Sequence, residues 1–132
     1  MSNDRGASTL ELAFVAPLLF ILALGIVDMG RALALSVTVS EAAQEGVIFA
    51  GHNPSDTNAI VSRVIFSATD PKLEADQVTV TCLVAPSDHV SVTVGYQLDL
   101  MTPFIADLVG GTVDLSKTVT GEIFSEDPCV GS

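Results

Sequence analysis

From Leu12 to Val27 the chain reads "LAFVAPLLFILALGIV", sixteen residues without a charge, and Glu11 stands directly before them. A segment apolar on every side must be covered by lipid or by a large core. A chain of 132 residues has room for only one small domain beside it. A membrane span takes about 20 apolar residues, within a range of 17–25. The uncharged run is slightly short of that, but Asp28 and Arg31 follow it three residues apart. On one helix face they can pair while the Arg31 head snorkels to the boundary.

Two ordinary accounts of this segment leave Glu11 unexplained. A secretory signal would find a small-x-small cleavage site at Ala32-Leu33-Ala34. It would also have Glu11 at the entrance of its apolar core, and Asp28 and Arg31 between that core and the cut. A plain signal anchor accommodates Asp28 and Arg31 better. Helix can then continue through "RALALSVTVSEAAQEGVIFAG", which has no proline, until Gly51 and His52-Asn53-Pro54 stop it. From Ala7 to Ala50 this gives one predicted helix of roughly 66 Å at 1.5 Å per residue.

Charge is as uneven as hydropathy. Beyond Arg31 thirteen acids face three bases, Arg63, Lys72 and Lys117, for a net charge of −10. That field repels phosphate backbones and anionic headgroups and argues against nucleic acid as a partner. Arg5 and the α-amine are the cations on the N-terminal flank. By the positive-inside rule they orient the span with its N-terminus in the cytoplasm and the acidic domain exported.

The exported part reads as α+β. Asn53-Pro54 precedes "SDTNAIVSRVIFSAT", where Ser55 or Asp56 can cap a second helix. Ile60, Val61, Val64, Ile65 and Ala68 form its apolar stripe, and Asp70-Pro71 closes it. "QVTVTCLV" and "VSVTVGYQLDL" alternate apolar and polar residues, as half-buried strands do. Pro86-Ser87-Asp88 turns the chain between them into an antiparallel hairpin. Thr102-Pro103 opens a short helix ending at Gly110-Gly111. A last strand, 112–124, places Val113, Leu115, Val119 and Ile123 on one face, where Lys117 interrupts them; this marks an edge or a bend. The expected fold is thus a long N-terminal transmembrane helix and a small domain with a second helix packed on a roughly three-stranded antiparallel sheet.

Sites for chemistry are sparse. His52 and His89 have no acid or nucleophile at motif spacing and are expected in surface loops. "DPKLEAD" lacks the ligand rhythm of a calcium loop and reads as a solvated acidic turn. No catalytic constellation, metal site, cofactor motif or small-molecule site is expected, so an enzyme is disfavoured. Cys82 and Cys129 make an even pair. In an exported domain they can form a disulfide tying the tail to a strand, and two free thiols are the alternative.

Counted from Gly6, Glu11 is the fifth residue of a chain that starts at Ala7. A small glycine, four residues, then a glutamate opening a long apolar helix is the prepilin pattern. "RGASTLELAFVAPLLFILALGIVDMGRAL" and the following "SEAAQEGVIFAG" resemble the TadE-like family, minor pilins or pseudopilins of the tight-adherence (Flp, type IVc) pilus. "VSVTVGYQLDLMTPFIADLVGG" and "TVTGEIF" are similar to the family's later strand, proline-led helix and closing strand. The resemblance implies a leader at 1–6 removed between Gly6 and Ala7, a transmembrane helix at 7–31 and its outer extension at 32–53. It further implies an exported head at 54–126 and a tail at 127–132. The implied partners are a prepilin peptidase, other major and minor pilins, the assembly platform and membrane lipid. The implied location is the cytoplasmic (inner) membrane as a single-pass protein, or the pilus and cell surface after assembly.

The resemblance gives Glu11 a task. An ionised carboxylate costs about 2.5–3.5 kcal/mol at the centre of a span unless it is paired or near the interface. A new amine at Ala7 lies one turn before Glu11, and in a bundle Glu11 can neutralise a neighbouring subunit's amine instead. That pairing depends on register, since a slipped subunit leaves both charges unpaired. The bland alternative is a glutamate resting among headgroups. Pro17 removes one helix hydrogen bond and kinks the helix, either to ease passage from bilayer to filament or as a tolerated membrane proline. The competing function is a permanently anchored extracytoplasmic binding module that never joins a filament.

Overall fold

Between Leu33 and His52 the apolar residues fall at helical intervals, and Val39, Ala42, Ala43, Val47 and Ala50 are all buried. This stripe, with Gly46 in its middle, is the sequence reason for the second half of helix α1 (Asp4–His52). The structure is a computed structural model that describes residues 4–83, 88–102, 107 and 110–130, with residues 4, 5 and 7 by backbone alone. The helix is bounded within a few residues of the range predicted from Ala7 to Ala50.

The elements that follow are α2 (Thr57–Ser67), β1 (Val78–Leu83), β2 (His89–Asp99) and β3 (Thr112–Glu122), with a 3-10 turn at Ala75–Gln77 before β1. The Asp56 carboxylate caps α2 by accepting from the Ala59 amide at 2.9 Å. The helix ends at Ser67, with Ala68 as its C-cap, before a cis Asp70–Pro71 bond. The sheet order is β1-β2-β3. β1 and β2 are antiparallel, with Val78 opposite Val94, Val80 opposite Val92 and Cys82 opposite Val90. Across β2 and β3, Ser91 meets Thr120 at 2.6 Å and Thr93 meets Thr118 at 2.8 Å, so these strands also run antiparallel. The protein is therefore α+β, with a long apolar helix, a second helix and a three-stranded antiparallel sheet.

The chain divides into two compact units. One holds residues up to Ala32 together with Asp99–Val113; the other holds Leu33–Leu98 and Asp114–Ser132. In the second unit the α1 stripe, Ile60 and Val64 of α2, and Val80, Val90, Val92 and Val94 of the sheet form the core. Burying a Val or Ile side chain contributes about 1.5–3 kcal/mol, and the two helices and the sheet bury their apolar faces only against one another. Close approach requires glycine at two places. A Cβ on Gly46 would lie 2.4 Å from a Val64 methyl, and one on Gly121 would lie 2.3 Å from a Val47 methyl. β3 is an edge strand, as its Lys117 interruption suggested, and Lys117 is exposed.

The C-terminal segment is held at both of its sides. Cys82 and Cys129 are joined as a disulfide with Cα atoms 5.9 Å apart. The Val130 amide donates to the Pro54 carbonyl at 3.1 Å, and the Thr57 hydroxyl donates to the Val130 carbonyl. His52 and His89, expected in loops, are instead the last residue of α1 and the first of β2. The His52 ring rests against Phe124 with centroids 5.7 Å apart, so packing carried the helix and its terminal aromatic contact past Gly51. The expected turn at Pro86-Ser87 and most of the helix expected after Thr102-Pro103 lie outside the described residues. Asp107 is helical, and Gly110 and Gly111 have φ of +93° and +89°, a conformation that favours glycine.

Candidate functional site

The first half of α1 has the surface chemistry of a lipid-facing helix. Phe14 is 80% exposed, Ile26 74% and Phe20 70%, and Leu12, Leu18 and Leu22 are exposed as well. Large apolar side chains left bare on all sides of a helix need an apolar solvent or other helices. This is the one helix among the described residues long and apolar enough to cross a membrane.

Glu11 is exposed at the start of this surface and has no ionic or hydrogen-bonding partner among the described residues. Gly6 lies within the same helix, one residue before Ala7, and a Cβ there would meet nothing within 4 Å. Pro17 is inside the helix and exposed, and it has no amide hydrogen for the carbonyl of Ala13. Glu11 and Pro17 are thus displayed on the outside of α1 and are not gathered into a pocket.

Asp28 behaves differently, being only 4% exposed. Its Oδ1 accepts from the Met101 amide at 3.0 Å, and its Oδ2 accepts from the Thr102 amide at 2.9 Å and the Thr102 hydroxyl at 2.7 Å. Arg31 approaches Oδ1 at 3.4 Å and also donates to the Asp99 carbonyl at 3.3 Å. The Asp28–Arg31 pair is present, but it is the longest contact the carboxylate makes. A buried carboxylate is tolerated when its lone pairs are occupied, and here three closer donors occupy them. The Leu100 amide donates to the Gly111 carbonyl at 3.3 Å and closes the same excursion of chain on itself.

Thr102 is the residue of this cluster that sequence inspection does not pick out. Its signal is faint: Thr before Pro marks a helix start, and helix starts leave amides in need of an acceptor. Nothing in the sequence says that the acceptor is 74 residues away. Arg31 and Asp28, Cys82 and Cys129 are brought together; Gly6, Glu11 and Pro17 are strung along one helix.

Fold and site define a class: a protein with one candidate membrane-spanning helix whose sequence continues into a small α+β domain. Residues 6–47 match the family model described as TadE-like protein, which establishes the resemblance over the stretch from Gly6 to Val47. No curated protein and no solved structure matches the chain. The family match, over about a third of the chain, points to a protein associated with the tight-adherence pilus.

Proposed function

We propose that the chain is a minor pilin or pseudopilin of a tight-adherence (Flp, type IVc) pilus, acting in initiation, priming or capping of the filament and so in surface adhesion. The observation that carries this is the spacing of Gly6 and Glu11 at the head of an apolar, exposed helix within the matched stretch. A prepilin peptidase cuts between Gly6 and Ala7. The chain then sits in the cytoplasmic membrane with its N-terminus inside and its acidic domain outside.

Assembly is helix packing. The apolar surface from Leu12 to Val27 exchanges lipid for the helices of other pilins. Because lipid tails are as apolar as leucine, burial gives little preference between the two, and packing and polar contacts must choose the register. Glu11 supplies that choice by pairing with the Ala7 amine of a neighbour, where low dielectric makes a mismatch costly. Pro17 lets the helix yield locally as it changes surroundings.

Glu11→Ala tests the assignment in cells that make the whole pilus apparatus. The expected result is loss of the chain from the sheared-pilus or pilin cross-linked fraction, with processing at Gly6 intact. Unchanged cross-linking to other pilins contradicts the proposal and favours a permanently anchored domain.

A further inference from the structure

Asp28 is the first charged residue beyond the uncharged run, and its carboxylate holds the backbone at Met101 and Thr102 by three hydrogen bonds of 2.7–3.0 Å. Whatever level in the bilayer the end of that run occupies, the Met101–Thr102 backbone occupies it too. Met101 turns an apolar side chain outward there, 62% exposed, beside a helix surface on which Ile26, Val27 and Met29 are also bare. One turn further on, Arg31 is about half exposed and makes only long contacts, at 3.4 Å and 3.3 Å, so its guanidinium keeps donors to spare. Apolar side chains at one level and a free-handed arginine roughly 4.5 Å farther along the helix match the order of acyl chain and phosphate at a bilayer surface.

We infer that the Met101–Thr102 segment is a second point of contact with the bilayer, seated at the acyl–headgroup boundary of the exported leaflet, with Arg31 donating to lipid phosphate above it. This rests on the proposal that Leu12–Val27 spans the membrane. Asp28 makes the contact possible in two ways. It fixes the segment at the depth of the span's end, and its own charge is taken up by Met101, Thr102 and Arg31 and so is not turned toward lipid. The partner is a zwitterionic surface, since the domain beyond Arg31 carries −10 and gains nothing from anionic headgroups. Interfacial side chains of this kind set the depth and tilt of a span.

The test uses the full chain in phosphatidylcholine vesicles, with its two native cysteines paired. A polarity-sensitive thiol fluorophore is placed by Met101→Cys, with Phe20→Cys as the lipid reference and Phe66→Cys, on the exposed face of α2, as the water reference. The expected result is a blue-shifted emission at position 101 relative to 66, and quenching at 101 by lipids brominated high on the acyl chain. Adding Asp28→Ala should move the emission at 101 toward that at 66. If position 20 is quenched while 101 matches 66, the second contact is wrong and the span stands. If position 20 is itself unquenched, the spanning assignment fails and takes the inference with it. An emission at 101 that ignores Asp28→Ala also overturns it, because the carboxylate would not be what sets the depth.

Discussion

Asp28 and Thr102 are joined twice: one carboxylate oxygen accepts both the amide and the hydroxyl of Thr102, at 2.9 Å and 2.7 Å. Hydrogen bonds to a charged group contribute about 1.5–3 kcal/mol each, and an amide left unsatisfied in a buried site costs about 1–3 kcal/mol. The neighbouring Arg31 contact at 3.4 Å is secondary to these.

Asp28→Ala should therefore release the Met101 and Thr102 amides selectively. Amide hydrogen exchange at those two positions is expected to speed up by at least tenfold, while the β1 and β2 amides stay protected. Arg31→Ala should change exchange at the same amides by much less. Equal effects from the two substitutions would mean that the ion pair, not the amide bonds, holds the segment.

Gly46→Ala should destabilise the α+β unit although alanine favours helix by about 1 kcal/mol over glycine. Its Cβ would be 2.4 Å from a Val64 methyl and 3.2 Å from a Val92 methyl, and overpacking of this kind costs about 1–3 kcal/mol. Gly30→Ala, where a Cβ meets nothing within 4 Å, lacks that cost. Thermal melts of the two variants in one detergent should separate them, with the Gly46 variant melting lower.

Cys82→Ser is expected to lower stability by about 3–4 kcal/mol, because the bond closes a long loop in the unfolded chain. The two cysteines are 47 residues apart. The loss should be reproduced by reductant on the native chain and absent when reductant is added to the variant. Denaturant titration with and without dithiothreitol measures both.

Arg63→Ala should be nearly silent. Arg63 Nε donates to Glu45 at 2.8 Å, but both side chains are substantially exposed. Exposed pairs contribute about 0–1 kcal/mol and are screened by salt. A larger loss that persists in high salt would point to packing of the arginine stem.

What could be read from the sequence depended on the range of the cause. The second helix was legible because Asp56 and the stripe Ile60, Val64 and Ala68 lie within a dozen residues of each other. The strands were legible from the alternation at Val78, Val80, Val90, Val92 and Val94. The pairing of the first two strands was legible because consecutive strands joined by a short turn tend to pair. Gly6 and Glu11 stand five apart, and that too is local. The Asp28–Thr102 bonds were not legible, since they depend on where the chain returns after β2. The demand for glycine at 46 and 121 arises from side chains on other elements, Val64 and Val47, so no local pattern announces it. His52 and His89 are expected in loops because no acid or nucleophile stands at motif spacing from them, which says nothing about backbone structure. His52 instead ends α1 against the Phe124 ring, and His89 opens β2 opposite Leu83.

The central claim is that Glu11 is the fifth residue of a mature helix. N-terminal sequencing and intact mass of the chain extracted from membranes of cells with an active prepilin peptidase test it most directly. The account predicts a chain beginning at Ala7, and the uncut form when the peptidase is inactivated. A chain that still begins at Met1 beside the active peptidase, or one that begins at Leu35, contradicts it.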